Sequence, residues 1–127
     1  MRIAHLLLTS RFAGSERYAI ELAAGQAEAG HQVSLLLRRA ALADRPDAPG
    51  RYLPTGLPVV VLPDWLPGWH ARRWLRRHRP EVAHAHLSAA CKALRGVTGM
   101  VRVATLHIAY KPSQHAHLDG LVALTPA

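Results

Sequence analysis

Cysteine is almost missing from this chain of 127 residues: Cys91 is the only one. A lone cysteine excludes an intramolecular disulfide and leaves no second thiolate for a metal site, so a reducing compartment, by default the cytoplasm, is expected. Acidic residues are scarce too, with eight Asp plus Glu against sixteen Lys plus Arg and a net charge of +8. That balance calls for an anionic partner: nucleic acid, anionic lipid or a phosphorylated small molecule. Aromatic residues make up only 6% of the chain. With no helix-turn-helix pattern and no aromatic-bearing basic strands, a specific nucleic-acid module is excluded from the leading readings. The opening "MRIAHLLLTS" has about seven residues of mixed apolar character, against the roughly 20 that a spanning helix needs, and has no signal-cleavage pattern. Repeats and low-complexity tracts are absent apart from one Pro-containing loop.

What remains is half apolar and of a length that fits one domain with a real core, residues 1–127. "IAHLLL" is a compact run suited to a strand buried on both faces. A helix follows from near Ser15, which can act as N-cap, with Glu16 at the positive end of the dipole, Ile20, Ala23, Ala24 and Ala27 on one face, and Gly30 as the stop. "QVSLLLRR" gives a second strand. The Pro-, Gly- and Asp-rich stretch "AALADRPDAPGRYLPTG" is a loop with room for a short helical turn. Val59 to Leu62, bounded by Pro58 and Pro63, is a short third strand close to an edge. A basic helix over "GWHARRWLRRHRP", a strand "EVAHAH", a short helix "SAACKALRG" and the strands "VRVATLH" and "DGLVALT" complete the chain. Such alternation predicts a doubly wound, Rossmann-like α/β domain, a parallel sheet of about six strands with helices on both faces.

On such a fold ligands bind at the carboxyl ends of the strands. The loop "TSRFAGSER" then brings a helix N-terminus to the crevice, with Gly14 either letting the backbone approach an anion or only easing a tight turn. It is not G-x-G-x-x-G, and no acidic residue ends the second strand near Leu37, so a dinucleotide cofactor is not expected. His84 and His86 share one face of a strand and His107 ends another. Three nitrogens suggest a metal, but no carboxylate or further His follows at ligand spacing, and no metal is expected. Hydrogen bonding to backbone or substrate is the commoner use of a strand-end histidine. His115 and His117 fall in a polar loop and read as surface residues. Arg72, Arg73, Arg76 and Arg77 form the solvated face of an amphipathic helix, or a contact for an anionic membrane with Trp65, Trp69 and Trp74 at its interface.

The chain resembles the N-terminal domain of retaining glycosyltransferases of the GT-B fold, in particular the large family 4 group. "MRIAHLLLTSRFAGSERYAIELAAGQAEAGHQVSLLL" is similar to that family's opening strand, Gly-Gly-x-Glu loop, helix ending in Gly-His and second strand. "RRHRPEVAHAHLSAA" is similar to its arginine-rich helix end followed by Asp-Val-Val-His-x-His. "VATLHIAY" resembles its Thr-x-His-Gly strand end, and "LDGLVALTPA" its sixth strand. Ala13, Glu81 and Ile108 depart from those motifs.

The resemblance implies an acceptor-side half of an enzyme that moves a sugar from a nucleotide-sugar co-substrate to a glycan, a lipid-linked acceptor or a small molecule, without a further cofactor. Gly14 and Ser15 would approach donor diphosphate and acceptor, Glu16 would be the motif's acid, His86 the second histidine of His-x-His, and His107 the catalytic-site histidine facing the donor sugar. It further implies a C-terminal nucleotide-sugar domain, absent from these residues and supplied in cis or in trans, and self-association through surface that such a domain would cover. The competing readings are a non-catalytic module for an anionic ligand or membrane surface and a metal-dependent hydrolase; a cytoplasmic place, peripheral at the inner face of the membrane, is expected for the transferase itself.

Overall fold

The computed structural model describes residues 1–9, 14–44, 46–106 and 116–123. Within them six strands alternate with three α-helices: β1 (Arg2–Leu7), α1 (Gly14–Glu28), β2 (Gln32–Arg38), β3 (Val59–Leu62), α2 (Pro67–His78), β4 (Val82–His86), α3 (Leu87–Ala93), β5 (Val101–Leu106) and β6 (Gly120–Ala123). They form one sheet in the order β3-β2-β1-β4-β5-β6, and every neighbouring pair is parallel. This is the expected doubly wound α/β domain. The order runs outward in both directions from β1 and β4, and the gap between the loops leaving those two strands is the topological switch point.

Strand alternation sends successive side chains to opposite faces, and both faces are covered. Ala4, Leu6 and Leu8 of the first strand segment, with Leu36, Ala83, Ala85 and Ala104, pack against Ala71 and Leu75 of α2 and Ala90, Cys91 and Leu94 at α3. Leu7, Leu35 and Leu37 meet Ala19 and Ile20 of α1, and Ile3 and Val33 meet Ala23 of the same helix. The two-sided burial accounts for the unbroken "HLLL" and "LLL" runs, which carry no alternation because neither face sees water. β3 lies at an edge as predicted, and Val61 there remains 44% exposed.

Local chemistry sets the element ends. α1 closes in a Schellman arrangement in which Gly30 N–H donates to Ala27 O and His31 N–H to Gln26 O; Gly30 has φ 98°, which suits glycine. The helix starts at Gly14, one residue earlier than its anticipated cap, so Ser15 lies in the first turn. The loop after β2 folds into two 3₁₀ turns, Arg39–Leu42 and Pro49–Tyr52. They lie so close that a Cβ on Gly50 would stand 2.7 Å from Leu42 Cδ2 and 2.9 Å from Ala41 O. His117 differs from its expected surface role: it is half-buried, and its Nε2 pairs with Cys91 O at 2.7 Å, because the chain entering β6 passes beside α3.

Cys91 itself is 1% exposed, and burial pushes its thiol up to about 11. The native protein should therefore react with a thiol reagent near neutral pH far more slowly than the urea-unfolded chain, because the thiolate is the nucleophile. Equal rates in the two states would contradict this packing.

Candidate functional site

At the switch point the chain leaves β1 through Leu8 and Thr9 and re-enters at the N-terminus of α1. Thr9 Oγ1 donates to Glu16 Oε2 at 3.0 Å, tying the strand exit to the first turn of the helix. Glu16 is 4% exposed, an unusual burial for a carboxyl side chain. Two residues on, Tyr18 sets its ring edge-on to His86, with centroids 6.2 Å apart. The structure therefore places Gly14, Ser15, Glu16 and His86 at the same end of the sheet. A Cβ built on Gly14 meets nothing within 4 Å. Helix α1 is 15 residues long, and its amide end carries partial positive charge at this rim.

β4 stops at His86, and Leu87 turns the chain directly into α3 with φ 72°. A left-handed leucine is strained by about 1–3 kcal/mol and persists only where the surroundings enforce it. β5 ends at Leu106, and His107 follows, outside the described residues together with Ala13, Ile108 and His115. The structure thus puts the strand leading to His107 beside β4 and says nothing of its side chain.

Beneath this rim lies a cluster that sequence reading missed. β1 and β4 pair with His5 opposite His84 and Leu7 opposite His86, which puts all three histidines on the α1 face. His5 Nδ1 lies 3.0 Å from His86 Nε2, and His5 Nε2 lies 2.6 Å from Gln26 Oε1 of α1. His84 Nε2 lies 2.6 Å from Thr105 Oγ1 on β5. The His84 and His86 rings stack at 4.4 Å with planes 10° apart. His5 and His86 are 0% exposed and His84 6%. One nitrogen from each lies within 4.8 Å of the others, which is cluster spacing compatible with a metal ion. The metal question thus moves from the trio of His84, His86 and His107 to one containing His5. His5 was hidden because it stands inside an apolar run; its only signal was a polar residue where a two-sided strand should have none.

The arginines lie elsewhere. α2 covers the face opposite α1, with Ala71 and Leu75 buried and Trp74 partly buried against the core. Arg73, Arg76 and Arg77 are exposed and Arg72 half-buried. The Arg73 guanidinium stands 5.6 Å from the centroid of the Trp69 ring. Trp65, Leu66 and Trp69 are 65%, 61% and 45% exposed. Among the described residues no helix is long and apolar enough to cross a membrane.

Residues 12–124 match the family model described as Glycosyltransferase Family 4. No curated protein matched the chain.

Burial holds His5 below its ordinary value of 6.5, with the Gln26 hydrogen bond opposing the shift. The unfolded chain takes up a proton near that pH which the folded chain refuses, so the contribution of His5 to stability is complete above it and declines as pH falls below it. Urea unfolding at about pH 8 and about pH 5.5 should show a lower midpoint at the lower pH. A midpoint that holds or rises would mean that His5 is not buried neutral.

Proposed function

The chain belongs to glycosyltransferase family 4, and from that premise we propose that it forms the acceptor-side half of a retaining enzyme taking a sugar from a nucleotide-sugar donor. The observation that carries this reading is the junction of β1 and α1. There an unobstructed Gly14, a positive helix end and a Glu16 held by Thr9 at 3.0 Å face the switch point where doubly wound domains take their ligands. Backbone amides at such a helix end suit the diphosphate of a donor, while carboxyl and imidazole groups suit sugar hydroxyls.

In this proposal Gly14 and Ser15 let the helix end approach donor and acceptor, and Glu16 holds the loop and acceptor side. His86 lies in the wall of the cleft, and His107, following β5, faces the donor sugar at the reacting centre. No group on this chain need form a covalent bond. Positioning of the two sugars and stabilisation of the departing diphosphate would supply the rate. A second, nucleotide-sugar-binding domain, in cis or in trans, completes the cleft.

The acceptor is glycan, lipid-linked or small, and the surface of α2 favours one presented at an anionic membrane. Three exposed arginines flank Trp65, Leu66 and Trp69, the combination of basic charge and amphipathic rings that lodges at a headgroup layer.

Calorimetric titration of the folded chain with UDP, GDP and their sugar conjugates tests the division of labour. Little binding to this domain alone is expected, and strong binding would move the nucleotide site into it. In the enzyme carrying both domains, His107→Ala should cut transfer by about a hundredfold or more while leaving vesicle binding unchanged. Gly14→Ala should lower transfer without moving the thermal midpoint, since the added Cβ has open space in the free domain. Replacing Arg73, Arg76 and Arg77 together by Gln should weaken binding to phosphatidylglycerol vesicles by about a hundredfold, at about 1 kcal/mol per basic residue. Unaltered vesicle binding would remove the membrane from the reading.

A further inference from the structure

Three buried histidines in contact raise the question of where their protons are. A neutral imidazole has one N–H donor and one acceptor nitrogen, so fixing either fixes both. The chain of contacts begins at Gln26, whose Oε1 only accepts. His5 Nε2, 2.6 Å away, therefore donates to it, and His5 Nδ1 is left with its lone pair. That lone pair faces His86 Nε2 at 3.0 Å, so His86 Nε2 carries the proton and donates. We propose that Gln26 and His5 are positioning residues that hold His86 as its Nε2–H tautomer, making its Nδ1 a hydrogen-bond acceptor at the carboxyl end of β4.

Two further observations support this assignment. His5 and His86 are both fully buried, so water does not compete for the nitrogens that link them. The same burial holds the His5 pKa below its ordinary value, which disfavours the imidazolium in which both its nitrogens would donate. The Thr105 hydroxyl, 2.6 Å from His84 Nε2, rotates to donate or accept, so that contact does not by itself fix the His84 tautomer. The cluster is also better suited to hydrogen bonding than to a metal. Imidazole lone pairs lie in the ring plane, and the His84 and His86 rings are stacked, 10° apart with centroids at 4.4 Å, which aims two rings at one shared ion less well than a fanned arrangement would.

The consequence is selective. A group that meets Nδ1 of neutral His86 must bring its own proton, as a hydroxyl or N–H does and an ionised phosphate or carboxylate oxygen does not. His86 is 0% exposed and its Nδ1 is buried, so, if the transferase reading above holds, on which this step alone rests, His86 sets the polarity of the cleft wall from beneath and the donor diphosphate belongs at the helix α1 end. The orientation of one amide on a half-exposed helix position thus sets the polarity of a group two hydrogen bonds away.

Long-range ¹⁵N–¹H correlation spectra of the histidine-labelled 127-residue chain, taken above the ordinary histidine range, read the tautomers directly. His5 and His86 should each show a pyrrole-type Nε2 and a pyridine-type Nδ1. A pyrrole-type Nδ1 on His86, or averaging of its two nitrogens, would overturn the proposal. Gln26→Met keeps the length of the side chain but removes the amide acceptor. It should collapse the separation between the two nitrogen signals of His5 and His86 while far-ultraviolet dichroism stays native, and an unchanged spectrum would strip Gln26 of the role. Should that variant not fold, the wild-type spectrum alone still decides the tautomer. Because these signals need no ligand, the assigned tautomers together with absent transfer in the enzyme carrying both domains would sink the transferase reading and leave the proton arrangement standing.

Discussion

Burial of strand β4 on both faces is the constraint on which the rest of this domain depends. The strand lies between β1 and β5 in a sheet with helices above and below, so its side chains have no solvent to face. Its sequence answers by alternation. Ala83 and Ala85 are small enough for the α2 and α3 layer to close tightly over them. His84 and His86 fill the α1 face, where burial of a polar ring is tolerable only with a hydrogen-bond partner. Thr105, His5 and, through His5, Gln26 supply those partners. The ring contacts between strands and helix thus fasten α1 to the middle of the sheet by polar as well as apolar packing.

That attachment also shapes the candidate site. α1 is held at one end by Glu16 against Thr9 and farther along by Gln26 against His5, so its N-terminus is fixed relative to the ends of β1 and β4. Parallel strands on either side of the switch point leave in opposite lateral directions, and the space between their loops is where a ligand finds helix amides and side chains together. The strained Leu87 at the exit of β4 turns the chain into α3 at once, keeping that strand end short. Electrostatic preorganisation of this kind favours substrates whose charge and hydroxyls match groups already in place.

The fold was largely legible along the chain because its signals were local. Apolar runs, Gly30 at a helix end, and prolines flanking Val59 to Leu62 each act within a few residues, and all six strands lie where those signals put them. The chemistry was less legible. His86 was identifiable as a strand-end histidine, whereas His5 looked like a member of an apolar run and Gln26 like an ordinary helix residue. Their partnership spans 81 residues between His5 and His86 and 21 between His5 and Gln26. No pattern within one element can announce such a pairing. His117 is similar: its polar loop suggested solvent, and only the passage of that loop beside α3 gives it the Cys91 carbonyl.

By itself, then, the sequence determined the class of fold, the order of its elements and the family, since periodicity, turn residues and motif order are properties of neighbouring positions. Tertiary structure alone decided the register that sets His5 opposite His84. It also decided which face each histidine occupies and that the arginines of α2 lie across the sheet from α1. Those are distances between segments far apart in the chain, and they exist only once the sheet has closed.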